Sequence, residues 1–234
     1  EDKKSTMDAF LARTERMTFQ EKLGNVRQRA DRLGSLAASV AEWAGLGAAE
    51  QDLARKAGLF AKADLSCGLV SELPSLQGLI GADYARREGF DPAVCDAIAA
   101  HYDLARATAC PLSLAVLLAD QIDKLAGYLG QGLVPSGSSD PYGLRRATTY
   151  LIEAAWGWSG LLPAYLPLVE RAIGLYQDQG VELDVAGTVS ALKDLFAARY
   201  ESMLPEARHD LLQATSTRTS SRRGTSRCCP RPGM

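Results

Sequence analysis

The sequence predicts an all-α fold, and three observations carry that prediction. Apolar residues recur at three- and four-residue spacing through one segment after another. No segment alternates apolar and polar residues over a useful strand length, and no repeat period appears. Two Asp-Pro pairs, Asp91-Pro92 and Asp140-Pro141, have the grammar of helix starts. An Asp there accepts a hydrogen bond from a free backbone N–H, and Pro at the first helical position loses no bond that the helix needs.

Taken in order, residues 5 to 44 read as helix, with Leu11, Met17, Phe19, Leu23, Val26, Leu33, Leu36 and Val40 at roughly helical spacing and Gly45-Leu46-Gly47 as the stop. A second run from Ala48 to Leu73 places Leu53, Ala57, Phe60, Leu65, Leu69 and Val70 inward. Pro74 ends it, because the residue before a proline is pushed out of the α region. Leu76 to Arg87 is helical despite Gly78 and Gly81. Glycine costs about 1 kcal/mol in a helix interior relative to alanine, so this pair implies another backbone passing close. Helices Pro92 to His101 and Pro141 to about Trp156 follow their Asp caps. Between them, Leu112 to Leu129 is the most apolar helix. Its buried stripe is Leu114, Leu117, Leu118, Ile122, Leu125 and Leu129, with Asp120, Asp123 and Lys124 on the other side. Leu161 to Tyr176, Ala186 to Tyr200 and a short helix near Leu204 to Gln213 complete the set.

At 234 residues and 47% apolar composition the chain can bury one sizeable core. The expected division is one helical domain over 1–213 and a disordered Arg/Ser/Pro-rich tail over 214–234, whose composition cannot offset chain entropy. No run of about 18 or more uncharged apolar residues occurs, which predicts a soluble, cytoplasmic chain with no membrane partner. Five cysteines without metal-ligand spacing suit a reducing compartment. The net charge of −2 hides an asymmetry: residues 215–234 hold five Arg and no acid, which leaves 21 basic against 28 acidic groups before them, net −7. That balance excludes a domain-wide nucleic-acid footprint and leaves room only for a local basic patch.

The residues offer several chemistries. Asp64, His101 and Asp120 form the one conceivable metal-ligand set, since a metal-dependent phosphohydrolase acting on a nucleotide or phosphoester needs imidazoles and carboxylates around its ions. The alternative is that Asp64 and Asp120 pair with Lys62, Lys124 or an Arg, and that His101 caps its helix C-terminus, where a cation is favoured. Arg145-Arg146, Arg86-Arg87 and Lys124 are the candidate basic contacts, arginine suiting phosphate through its forked donors; a solvated helix face is the other reading of each pair. Cys67, Cys95 and Cys110 read as small core residues. The loop Pro135 to Asp140 reads as a connection and not a phosphate cradle, because Asp140 fills the helix start and repels an anion. Trp156-Gly157-Trp158 reads as core and interface. A purely structural helical module, binding neither metal nor RNA, is the third functional class.

Five words in order then give a specific resemblance: Lys62-Ala63-Asp64-Leu65; Glu72 to Gly78 with Gly81 and Tyr84-Ala85; His101-Tyr102; Leu118 to Gly127; and Pro135 to Arg146. They resemble the HD-like central region of the beta subunit of the bacterial two-subunit glycyl-tRNA synthetase, strongly over residues 55 to 150 and more weakly from about 15 to 213. The resemblance implies an HD-like helical bundle whose metal site is degenerate, with Gly34 and Ala63 where histidines are expected and Asp120 at the distal Asp. It implies a piece from the middle of a longer subunit, contributing to assembly and tRNA positioning in ATP-dependent glycyl-tRNA formation. No catalytic residue, metal or cofactor is then expected on this chain; ATP and Mg belong to the assembled enzyme, and the partners are the alpha subunit and tRNA(Gly). Arg145 and Arg146 are the first expected RNA contacts, with Lys62 and Lys124 behind them. Departures occur at Gln121, Ile122, Ser139 and Ser75, and the final twenty residues look like an out-of-frame or truncated end.

Overall fold

The computed structural model describes residues 2–157 and 165–203. Helix α1 (Met7–Arg13) starts at Thr6, whose hydroxyl accepts from Ala9 N at 3.1 Å, while Glu88 Oε2 accepts from Met7 N at 2.7 Å and ties the start of the chain to a later helix. The expected helix over 5–44 is broken here. Strands β1 (Thr18–Gln20) and β2 (Gly24–Asn25) form a small antiparallel ribbon, turned at Gly24 with φ +89°. Asn25 then starts α2 (Val26–Trp43): its side chain accepts from Gln28 N at 2.8 Å, and Gln28 Oε1 accepts from Asn25 N at 2.9 Å. This reciprocal cap satisfies two backbone donors at once, and it wins over continuation of the upstream periodicity.

Helix α3 (Ala48–Phe60) packs along α2, and the two backbones approach closely at Gly34 and Gly58. A Cβ on Gly58 would stand 2.5 Å from Leu33 O, and one on Gly34 would stand 3.1 Å from Arg55 O. The single run expected to Leu73 stops at Phe60 and continues as a 3-10 turn (Ala63–Ser66) and a short α4 (Gly68–Glu72). Helix α5 (Leu79–Arg87) follows Gly78, which holds φ +82° with Ile98 O 3.1 Å from where its Cβ would be. The close approach expected at the glycine pair is therefore backbone at Gly78 and the side chain of Asp64 at Gly81.

Helix α6 (Pro92–Ala100) begins as its Asp-Pro pair predicts, with Asp91 accepting from Ala93 N at 2.8 Å. A short α7 (Leu104–Ala107) leads to α8 (Pro111–Gly130), the axis of the molecule, against which α2, α3, α6, α7 and the three helices after it all pack. Its apolar stripe is buried as expected, but its other side is buried too: Asp120, Gln121 and Asp123 are at most 5% exposed. Helix α9 (Leu144–Gly157) starts three residues later than its Asp-Pro signal, because Asp140 reaches past a turn to accept from Leu144 N at 2.8 Å and Arg145 N at 3.0 Å. Helices α10 (Tyr165–Asp178) and α11 (Val185–Met203) close the bundle. The fold is all-α, with the two-residue-deep ribbon as its only sheet among the described residues. The helix expected at 204–213, the tail at 214–234 and Trp158 lie outside the described residues. Trp156, expected in core and interface, is 53% exposed and so not in the core.

Candidate functional site

Of the polar residues singled out in the sequence, Lys62, His101 and Asp120 converge on the seam where α2, α6 and the segment after α3 meet α8. Lys62 is only 2% exposed, and its ammonium makes three directed contacts: Tyr102 Oη at 2.7 Å, His101 Nε2 at 3.0 Å and Asp120 Oδ1 at 3.2 Å. His101 Nδ1 lies 2.6 Å from Ile98 O, an acceptor only, so Nδ1 carries the ring proton and Nε2 accepts from Lys62. Burial drives His101 towards neutrality, reinforced by the adjacent Lys62 ammonium, and brings its pKa down to about 3. His101 does end its helix, as expected, but as a neutral imidazole and not as a cation answering the helix dipole. Burial likewise lowers Lys62, to about 8, against the pull of Asp120. Burial alone would raise Asp120, but Lys62, Arg29 and Lys124 together hold it well below the usual carboxylate range.

Two arginines that the sequence reading did not single out complete this cluster. Arg29 places one guanidinium nitrogen 2.7 Å from Asp120 Oδ1 and its Nε 3.3 Å from Asp123 Oδ2. Arg32, fully buried, donates to Asp123 Oδ1 at 2.7 Å and to Gln179 Oε1 at 2.6 Å, with its guanidinium 3.7 Å from the centre of the Tyr176 ring. The signal was present as matched spacing: two arginines three apart on α2 and two aspartates three apart on α8 put each pair on one helix face. The expectation that the side of α8 opposite its apolar stripe faces away from the core fails for Asp120 and Asp123, since those arginines meet the carboxylates inside, while Lys124 is only half-buried.

Asp64 does something different from the ion pairing expected of it. Its Oδ2 accepts from Gly78 N at 2.6 Å and Gly81 N at 3.1 Å and so caps the start of α5, while the buried Oδ1 has no hydrogen-bond partner among the described residues. Burial raises its pKa against those two N–H bonds. Asp64, His101 and Asp120 do not converge as ligands: Asp64 faces the α5 terminus, and the Lys62 ammonium sits against His101 Nε2 and Asp120 Oδ1. Among the described residues no three His, Cys, Asp or Glu side chains are placed to hold a metal ion.

Of the basic candidates, Arg86 and Arg87 lie on α5 and pair at the surface with Asp96 and Asp83, while Lys124, Arg145 and Arg146 lie on α8 and at the start of α9. Arg145 is half-buried and folds back, donating to Gly137 O at 2.8 Å and Ser139 O at 3.3 Å. Arg146 is exposed. Lys124 is half-buried, donates to Gln121 Oε1 at 3.2 Å, and is lowered by burial with Arg29 and Arg146 adding to the effect. Cys67 and Cys95 are buried as expected, and Cys110 is partly so.

A sequence model described as "Glycyl-tRNA synthetase beta subunit" matches residues 1–217. The chain belongs to that family. It is 38% identical over 227 residues to the glycine–tRNA ligase beta subunit of Desulfitobacterium hafniense, covering 92% of this chain and 32% of that protein. Against the beta subunit of Levilactobacillus brevis it is 35% identical over 228 residues, 94% of this chain and 33% of the relative, and against that of Magnetococcus marinus 38% over 209 residues, 87% and 30%. This beta-subunit chain thus spans about a third of the length of the curated relatives it matches. No helix among its described residues is long and apolar enough to cross a membrane.

Proposed function

We propose that this chain is an HD-like helical module of a cytoplasmic glycine–tRNA ligase beta subunit, contributing to assembly with the alpha subunit and to positioning of tRNA(Gly). ATP and Mg serve the assembled enzyme at a site carried elsewhere, and no residue of this chain acts in the chemistry. The observation that carries this reading is the Lys62 ammonium, seated against both His101 Nε2 and Asp120 Oδ1 at hydrogen-bond distance. A fixed cation there leaves no place for an ion-activated water, so the cluster serves as the rigid joint between α2, α6 and α8.

Contact with tRNA falls to the cations that remain near the surface. Arg146 is exposed, and it lies close enough to Lys124 to add to the lowering of that ammonium. Arg145 supports them by closing the loop 137–139 beneath, and Lys62, enclosed by its three partners, supports the joint and not the RNA. The test is tRNA binding by the assembled enzyme carrying Arg145→Ala and Arg146→Ala. The expected result is affinity about three- to tenfold lower at low salt and a salt slope smaller by about one per lost phosphate contact. Unchanged affinity at every salt concentration retires the contact.

A further inference from the structure

Just before α9 stands an aromatic residue that the arginine contacts do not use. The ring of Tyr142 stacks on that of Tyr128, with centroids 4.2 Å apart and planes 21° from parallel. Tyr128 is buried and meets the Phe19 ring edge-on at 5.8 Å, and the Arg29 guanidinium lies 4.1 Å from the centre of the Phe19 ring. The outermost ring of this series is thus anchored, through two others, to the charged seam inside. Tyr142 is nevertheless 38% exposed with one face covered, so a ring of fixed orientation stands open to solvent.

Tyr142 borders an open pocket of about 260 Å³, lined also by Val134, Pro135, Ser136, Ser139 and Asp140, among others. That volume falls below the roughly 300–1,000 Å³ usual for a drug-sized ligand and suits a single ring system. The loop around it is held in shape: the Ser136 and Ser139 backbones bond each other at 2.8 and 3.2 Å, and Arg145 donates to Gly137 O and Ser139 O. The Asp140 carboxylate repels a phosphate from the pocket itself. Cations stand beside it instead. The Arg146 guanidinium comes to 3.3 Å from where a Cβ on Gly143, the residue after Tyr142, would be, and Lys124 is within electrostatic reach of both Arg146 and Asp140. A pocket that turns an anion away, next to a border that attracts one, fits a nucleotide with its planar base inside and its phosphate outside. Tyrosine takes any base, since every base has a π face, and the arginine fork takes the phosphate. An apolar side chain of a polypeptide would fill the pocket and leave the cations unanswered.

We propose, resting on the tRNA reading above, that an unpaired nucleotide of the bound tRNA stacks its base on Tyr142 in this pocket, with its phosphate at Arg146. The test is tRNA binding by the assembled enzyme across a salt series, with Tyr142→Leu, Tyr142→Phe and the Arg145→Ala, Arg146→Ala pair measured side by side. Tyr142→Leu removes the π face and leaves the cations, so affinity should fall about five- to fiftyfold at every salt concentration with an unchanged salt slope. Tyr142→Phe keeps the face and should bind within about twofold of the parent. If Tyr142→Leu matches the parent while the arginine pair weakens binding, the stack is overturned and the tRNA contact stands. No loss in any variant retires both. Equal losses in Tyr142→Leu and Tyr142→Phe overturn the stack, because the hydroxyl and not the face is then what binds. A loss with a smaller salt slope overturns it too, since Tyr142 then acts only by seating the start of α9 under Arg146. Weaker assembly with the alpha subunit at unchanged tRNA affinity makes the occupant a polypeptide, and that also overturns the proposal.

Discussion

At the α2–α8 seam, Arg29, Arg32, Lys62, Asp120 and Asp123 are all inside, and every charge is answered by another at 2.7–3.3 Å. At the start of α9 the same residue types answer the backbone instead: Asp140 accepts from two N–H groups, Arg145 donates to two carbonyls, and Arg146 is left facing water. The first region fixes three helices against each other and uses its charges on one another, with Arg29 Nε the buried donor that makes no hydrogen bond among the described residues. The second fixes a loop and keeps one cation over. The difference shows why a charged residue in this sequence cannot be assigned to a ligand until its internal partner is known.

The hardest test of the contrast is Asp123→Ala. It leaves the fully buried Arg32 guanidinium without its carboxylate, and removing one partner of a buried pair costs about 3–5 kcal/mol. Urea denaturation should show that loss, whereas Asp140→Ala, which removes a surface cap, should cost about 1 kcal/mol. Comparable losses at the two sites would erase the distinction between the regions.

Next in size is an acid effect confined to the seam. His101 has a folded pKa of about 3 against 6.5 without the fold, so between those values the unfolded chain binds a proton that the folded chain does not. Stability is therefore complete above about pH 6.5 and falls as pH drops, by up to about 1.4 kcal/mol per unit. Lys62, lowered from 10.5 to about 8, acts in the same sense at the alkaline end, where stability should rise with pH across that window. Denaturation midpoints measured from pH 4.5 to 6.5 should slope in the parent and flatten in His101→Gln. A slope unchanged by the substitution would place the acid sensitivity elsewhere.

A smaller, steric test concerns Gly81. A Cβ there would stand 3.0 Å from Asp64 Oδ2 and 3.1 Å from its Cγ, so Gly81→Ala must shift the carboxylate that caps α5. Overpacking of this kind costs about 1–3 kcal/mol, in part offset by the better helix propensity of alanine. Thermal unfolding of Gly81→Ala beside Gly174→Ala, whose Cβ would meet nothing within 4 Å, isolates the contact.

These sites also mark what a sequence alone can convey. The class of fold, the central helix and the Asp91 cap were legible because each depends on residues within one or two turns. The break after Arg13 was hidden because Gly24-Asn25 sits inside an apolar period that still fits a helix; the reciprocal bonds with Gln28 decide it. The pairing of Arg29 and Arg32 with Asp120 and Asp123 crosses about ninety residues, and spacing gives the faces but not the partner. Asp64 was misread for a related reason: a carboxylate near lysines looks like an ion pair until the backbone N–H groups of Gly78 and Gly81, fourteen and seventeen residues on, are brought to it.

The smallest structural effect is expected where the functional one is expected. Arg146 is exposed and makes no ion pair among the described residues, so Arg146→Ala should change stability by under about 0.5 kcal/mol. Arg145→Ala removes two bonds to the 137–139 loop and should cost about 1 kcal/mol. If tRNA binding follows Arg146 while stability follows Arg145, the neighbouring arginines divide contact and support between them. If both properties follow Arg145 alone, the loop it closes is the contacting element, and Arg146 is an ordinary solvated residue.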